Sequence, residues 1–152
     1  MAFKLTLSAF AEGAIIPKLH TCEGADISPS LEWTGEPANA RSLALIADDP
    51  DAPGGTWTHW LLYDLSPSVE ALAQGYKPGK LGLSGANDFG RAGYGGPCPP
   101  KGGGPHRYFF RLYALDVATL ALPAGAKRRD VDKAMRGHVL AQAEYMGRYE
   151  RR

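Results

Sequence analysis

Cysteine is scarce: only Cys22 and Cys98 occur in 152 residues. They form neither a C-x-x-C pair nor a metal-ligand spacing, so no zinc finger, ribbon or redox dithiol can be read here. Both lie in Gly/Pro-rich segments. Two free thiols are the expected state, and a single long-range disulfide is the alternative that spacing does not decide. Long apolar runs are missing too; none approaches the roughly 18 residues of a spanning helix. Residues 1–17, MAFKLTLSAFAEGAIIP, set Phe3, Leu5 and Leu7 against Lys4, Thr6 and Ser8. That alternation predicts a first strand and not a signal peptide, in keeping with a cytoplasmic location. No excess of either charge exists: 17 Lys and Arg face 16 Asp and Glu, a net +1. Without a basic field, a nucleic-acid partner is not expected, and Lys127-Arg128-Arg129 reads as a solvated loop. There is no G-x-S-x-G elbow. Cys98 sits between two prolines and not at the helix N-terminus that activates a thiol.

What the chain does have is glycine (19) and proline (12), together about a fifth of its residues. Three Trp, seven Tyr and five Phe argue against disorder. The composition fits one loop-rich domain spanning 1–152, large enough to bury roughly 68–70% of its unfolded surface. Strands are predicted at 3–8, 31–33, 42–47, 57–65 and 107–115. The run Ser42–Ala47 is apolar throughout, as expected of a strand buried on both faces. Ser66–Gln74 is expected to hold one or two helical turns. Residues 75–105 show little periodicity, and a loop of that length is usually functional. From Asp130 to Met146 the spacing of Val131, Ala134, Met135, Val139, Ala143 and Met146 predicts an amphipathic helix, capped by Asp130 and stopped by Gly147. A short final strand over GRYERR completes a mainly β reading.

Two segments concentrate chemistry. The first, Asp48–His59, reads DDPDAPGGTWTH. Extended backbone would put Asp49 and Asp51 on one side and Trp57 and His59 on one face of the next strand. Pro50 biases Asp49 toward extended backbone, and Ala52-Pro53 is a candidate cis peptide. An acidic turn with side-chain-to-backbone hydrogen bonds, beside a half-buried His, explains the same residues without a ligand. The second segment, Gly93–Tyr108, reads GYGGPCPPKGGGPHRY. No helix follows it, so it is not a phosphate loop of the strand–loop–helix kind. Its glycines would let main-chain N–H groups approach a small anion closely. His106 and Tyr108 share one face of their strand, which turns Arg107 away toward an ion pair with an aspartate. Two His and two Asp could ligate a metal, but their spacing matches no short motif and no metal is expected. A small hydrolase using His59 or His106 as base is the catalytic alternative.

These residues resemble the phosphatidylethanolamine-binding protein family, also called the Raf-kinase-inhibitor-like family, in its bacterial branch. The resemblance rests on Asp49-Pro50-Asp51-Ala52-Pro53, on Trp57-Thr58-His59, and on Gly93–Pro100 followed by His106-Arg107-Tyr108. It extends through Thr21–Pro29, Asn87–Gly90 and Gly137–Tyr149, in order along nearly the whole chain. It implies a large central antiparallel sheet packed on a smaller one, with peripheral helices. It also implies a ligand pocket made of Asp49, Asp51, Trp57, His59, Pro100, His106 and Tyr108, assisted by backbone groups near Gly95 and Gly96. The implied ligand is small and anionic or zwitterionic: a phosphate, a phospholipid head group or a phosphorylated side chain. No cofactor and no catalysis are implied. Kinase or protease inhibition through protein contact is a second implied role, with peripheral lipid contact and a homodimer as further expectations. The chain lacks a counterpart of the extended C-terminal helix of mammalian members, and only Gly54-Gly55-Thr56 separates Pro53 from Trp57. The absent helix implies that one lid of the pocket is missing, and the departures together weigh against kinase regulation.

Overall fold

Continuous and alternating apolar runs sort this chain into strands of two kinds. In order these are β1 (Lys4–Thr6), β2 (Leu31–Thr34), β3 (Ser42–Asp49), β4 (Trp57–Leu65), β5 (Ala71–Leu72), β6 (Leu83–Ser84), β7 (His106–Leu115) and β8 (Val139–Tyr149). Among the described residues one α-helix, α1 (Arg128–Met135), precedes β8. The structure, a computed structural model, describes residues 2–152. A five-stranded antiparallel sheet has the order β6-β4-β3-β7-β8, and a three-stranded antiparallel sheet has the order β1-β2-β5. This is the expected fold class.

β3 is central and buried along its whole length. Leu43, Leu45 and Ala47 meet Trp60, Leu62, Phe110 and Leu112, and across the gap Leu5 and Trp33 of the small sheet. Ala44 and Ile46 face the other way with Leu61 and Tyr63, under Val131 and Met135 of α1. With both faces covered, neither set can be polar, and the run loses its alternation. Each such Leu or Ile contributes about 1.5–3 kcal/mol by leaving water.

β4 carries one extra residue against β3 in two places. The register steps from Leu45↔Leu62 to Leu43↔Leu65, and from Ala47↔Trp60 to Asp48↔Thr58. Asp64, in the left-handed region at φ 56, belongs to the first bulge. His59 is the extra residue of the second. A bulge re-aims the side chains beyond it. Here His59 joins Trp60 on the face toward the small sheet, while Thr58 turns to the α1 side. His59 packs on Tyr108, and Thr58 bonds Arg128.

Three expectations are corrected. The helix read over 130–146 is a short helix followed by the longest strand: α1 ends at Met135, and β8 pairs with all of β7. A spacing of four fits a helix turn, but it is also two strand repeats, so Ala143 and Gly147 satisfy both periods, while an extra residue between Val139 and Ala141 leaves Val139 exposed. Lys127, not Asp130, is the N-cap; Asp130 lies in the first turn, where a carboxylate favours the helix dipole. Gly147 stops nothing; it lets β8 approach Phe10 and Ile16. Ser66–Gln74 holds a turn and β5 in place of helical turns, because Leu31 and Glu32 recruit Leu72 and Ala71 into the small sheet. The Lys127–Arg129 cluster is not simply solvated, since Arg128 reaches behind the sheet to Asp48 at 3.0 Å.

A Cβ at Gly147 would lie 2.5 Å from Phe10 Cε2 and 2.6 Å from Ile16 Cγ1, both buried side chains. Gly147→Ala is therefore expected to cost about 1–3 kcal/mol through overpacking. The urea-unfolding midpoint measures it; an unchanged midpoint would place β8 differently.

Candidate functional site

The carboxyl end of β3 and the start of β7 are neighbours in the sheet, which brings the two unusual segments together. Asp49 is the joint. Its Oδ1 accepts the Asp51 N–H at 2.7 Å, and its Oδ2 accepts His106 Nδ1–H at 2.7 Å. Both side chains are almost fully buried, with 4% and 8% exposure. The carboxylate fixes the ring's orientation and leaves Nε2 as its other polar atom.

Above this pair lies a cavity of about 200 Å³, smaller than the usual range of about 300–1,000 Å³ for drug-sized ligands. Its polar lining is Asp49, His59, His106 and Tyr108; its walls are mostly Ala52, Pro53, Trp57, Phe89, Pro99 and Pro100, with Cys98 beside them. Among the described residues no Lys or Arg lines it. The Tyr108 hydroxyl is buried with no hydrogen-bond partner among the described residues. Burial and the nearby Asp49 carboxylate push its pKa up, so it is an O–H donor at every physiological pH.

His59 enters from the bulge. Its Nδ1 lies 2.6 Å from the Gly95 carbonyl, an acceptor only, so Nδ1 carries the proton. Burial lowers the pKa of His59, against the opposing pull of that carbonyl and of Asp49. The neutral ring then offers Nε2 as an acceptor. Its edge contacts are Tyr108 at 5.3 Å and Phe89 at 5.4 Å. Phe89 also meets Trp57 edge to face at 5.5 Å, and these two aromatic side chains form an exposed rim.

Other expected site residues fall elsewhere. Asp51 is turned from the cavity to Arg107, accepting Nε–H, Nη2–H and the backbone N–H, each at 2.9 Å. The ion pair foreseen for Arg107 is thus present. Its guanidinium holds the Asp51 pKa down to about 2. The N–H groups of Gly95 and Gly96, expected to face an anion, are engaged: Gly95 donates to the His59 carbonyl at 2.9 Å, Gly96 to Asp26 Oδ1 at 2.8 Å. The peptide before Pro53 is trans, correcting the cis expectation.

The second loop is clamped. Cys22 and Cys98 form a disulfide, not two free thiols. Tyr94 O–H donates to the His20 carbonyl at 2.6 Å, and Arg151 Nε–H to the Pro99 carbonyl at 2.6 Å. Gly96 must be glycine, because a Cβ there would sit 2.1 Å from the His20 carbonyl oxygen. Phe89 was not singled out from the sequence, though its signal was present in Asn87-Asp88-Phe89-Gly90. Asp88 accepts the Thr58 N–H at 2.7 Å, and Asn87 donates to the Gly93 carbonyl at 2.9 Å, so the motif holds Phe89 over the cavity. Behind the sheet, Asp48 is held by Arg111 at 3.3 Å and Arg128 at 3.0 Å. Neighbouring aspartates therefore anchor opposite faces of one strand end.

The family model for phosphatidylethanolamine-binding protein matches residues 6–150. The chain belongs to this family. It is 51% identical to the UPF0098 protein of Aquifex aeolicus over 146 residues, which cover 94% of this chain and 85% of the relative. Among solved structures, a phosphatidylethanolamine-binding protein homologue from Chlamydia trachomatis, CT736, superposes with a TM-score of 0.91 at 44% identity. YbcL of E. coli, described as a new member of the mammalian phosphatidylethanolamine-binding protein family, gives 0.92 at 34% identity. Each covers 99% of both chains. The family motifs are thus adjacent in space as well as in order, with Asp49 of the first touching His106 of the second. No helix among the described residues is long and apolar enough to cross a membrane, and no group of three or more His, Cys, Asp or Glu forms a metal site.

Two groups couple this site to acid. Asp51, depressed from 3.8 to about 2, adds stability that is complete above 3.8 and disappears as pH falls through about 2. His59, lowered from 6.5, adds stability that is complete above 6.5 and declines below it, where the unfolded chain takes up the proton first. Thermal unfolding is expected to show a fall in Tm beginning below pH 6.5 and a further fall below 3.8. His59→Phe should flatten the first step and Asp51→Asn the second.

Proposed function

We propose that this family member binds a small oxyanion of the phosphate type, seated on Tyr108 and His106 at the floor of the cavity. The observation that carries this reading is Tyr108, a residue that lines the cavity and whose buried hydroxyl, beside the Asp49 carboxylate, has no hydrogen-bond partner among the described residues. Such a group costs about 1–3 kcal/mol when left unsatisfied, which a ligand oxygen would recover. His106 supplies a second donor at Nε2 when its ring is protonated, with Asp49 as the counter-charge. The apolar remainder of the ligand lies against Trp57, Phe89, Pro53 and Pro100. The role is one of binding; the Cys98 thiol beside the cavity is tied up in a disulfide.

Isothermal calorimetry with inorganic phosphate tests this. Tyr108→Phe keeps the ring and deletes the donor, and His106→Ala removes the second donor. Each is expected to weaken binding about tenfold or more, the effect of one charge-assisted hydrogen bond of about 1.5–3 kcal/mol. Circular dichroism on the same samples checks that the fold is kept. Wild-type affinity in both variants would place the ligand elsewhere.

A further inference from the structure

Tyr108 is a donor toward the cavity and His106 is one in its charged form; of the two other polar side chains there, Asp49 already accepts from Asp51 and His106, and His59 is an acceptor. His59 Nδ1 is committed to the Gly95 carbonyl at 2.6 Å, and Gly95 N–H returns a bond to the His59 carbonyl at 2.9 Å. The residue is thereby tied to Gly95 by two bonds, one from its backbone and one from its ring, and the ring bond holds Nδ1 away from the cavity. Nε2 of the neutral ring, in a residue that lines the cavity, carries a lone pair. An oxygen bearing only lone pairs would be repelled there. The cavity also has no Lys or Arg among its lining residues, because Arg107 is turned to Asp51 and Arg91 lies over the outer ring of Phe89 at 5.5 Å while pairing with Asp26. A doubly charged group would meet one imidazole and the Asp49 carboxylate, with no second cation to offset it.

Resting on the oxyanion reading above, we propose that the ligand is a phosphomonoester in its singly protonated form, whose P–OH donates to His59 Nε2. Two of its unprotonated oxygens accept from Tyr108 and His106; its ester oxygen leads out past Trp57 and Phe89. A phosphodiester has the same charge and tetrahedral shape but no proton to give. A site built around a ligand hydroxyl discriminates strongly against an analogue lacking it, because its own polar atom is left unpaired. His59 is thus the residue that separates monoesters, such as phosphorylated side chains or sugar phosphates, from the diesters of intact phospholipid head groups.

Methyl phosphate and dimethyl phosphate test this by calorimetry at pH about 5.5, below the second ionisation of a phosphomonoester at about 6, where both carry one charge. The monoester is expected to bind about tenfold or more tightly, one hydrogen bond's difference. In His59→Phe that ratio is expected to shrink toward one, whereas a merely structural role would weaken both ligands equally. If the variant does not fold, the wild-type ratio alone decides. Equal affinities in the wild type overturn the inference while leaving the oxyanion reading intact. Glycerophosphoethanolamine binding as tightly as methyl phosphate also overturns it, since its ammonium would then be the donor. No binding of inorganic phosphate or either ester overturns both.

Discussion

The Asp49–His106 contact is the constraint around which the cavity is organised. One carboxylate receives the N–H of Asp51 and the imidazole of His106, and so it fixes where the first segment leaves β3 and how β7 begins. A buried acid–imidazole pair is weak evidence for stability, since desolvation offsets much of its attraction. Its effect here is on orientation: with Nδ1 held, the opposite nitrogen of His106 has a single direction. Tyr108, two residues along the same strand face, then stands beside it by the alternation of side chains alone.

Everything else about the two segments limits their movement. The first is tied by Asp51 to Arg107, next to the residue that lines the cavity. The second is held on one side by the Cys22–Cys98 bridge, Tyr94 and Asp26, and on the other by Arg151. A cavity that must match a small ion gains from walls already in place, because no loop has to be ordered when the ligand arrives. Arg128 and Arg111 brace the same strand end from behind through Asp48. Asp48 faces one side of the sheet and Asp49 the other, and neither carboxylate is without partners.

Much of this was legible in the order of residues. The continuous run Ser42–Ala47 could only be a strand covered twice, and the alternation His106–Tyr108 against Arg107 assigned one face to the cavity and the other to an ion pair. The family motifs pointed to Asp49, His59, His106 and Pro100, which the fold brings to one cavity. What could not be read has specific causes. Spacing by four does not separate a helix from a strand, so β8 was hidden inside an apparent helix. Asp51 shares strand parity with Asp49 only if the chain stays extended, and the turn after Pro50 breaks that premise. The disulfide depends on a long-range approach that no local pattern encodes. The glycine N–H groups are consumed by partners, His59 and Asp26, that are remote in sequence.

The bulge at His59 has an implication for how this fold diverges. The surplus residue in β4 is the one whose imidazole looks into the hollow. Remove one residue there and the ladder of backbone bonds would become more regular, with the hydrophobic layers undisturbed on either side. Architecture and ligand chemistry are therefore separable by the smallest possible change in length. A relative could keep the entire scaffold, with Thr58 still opposite Asp48, and lose the imidazole from the hollow, and its overall shape would give no sign of the loss.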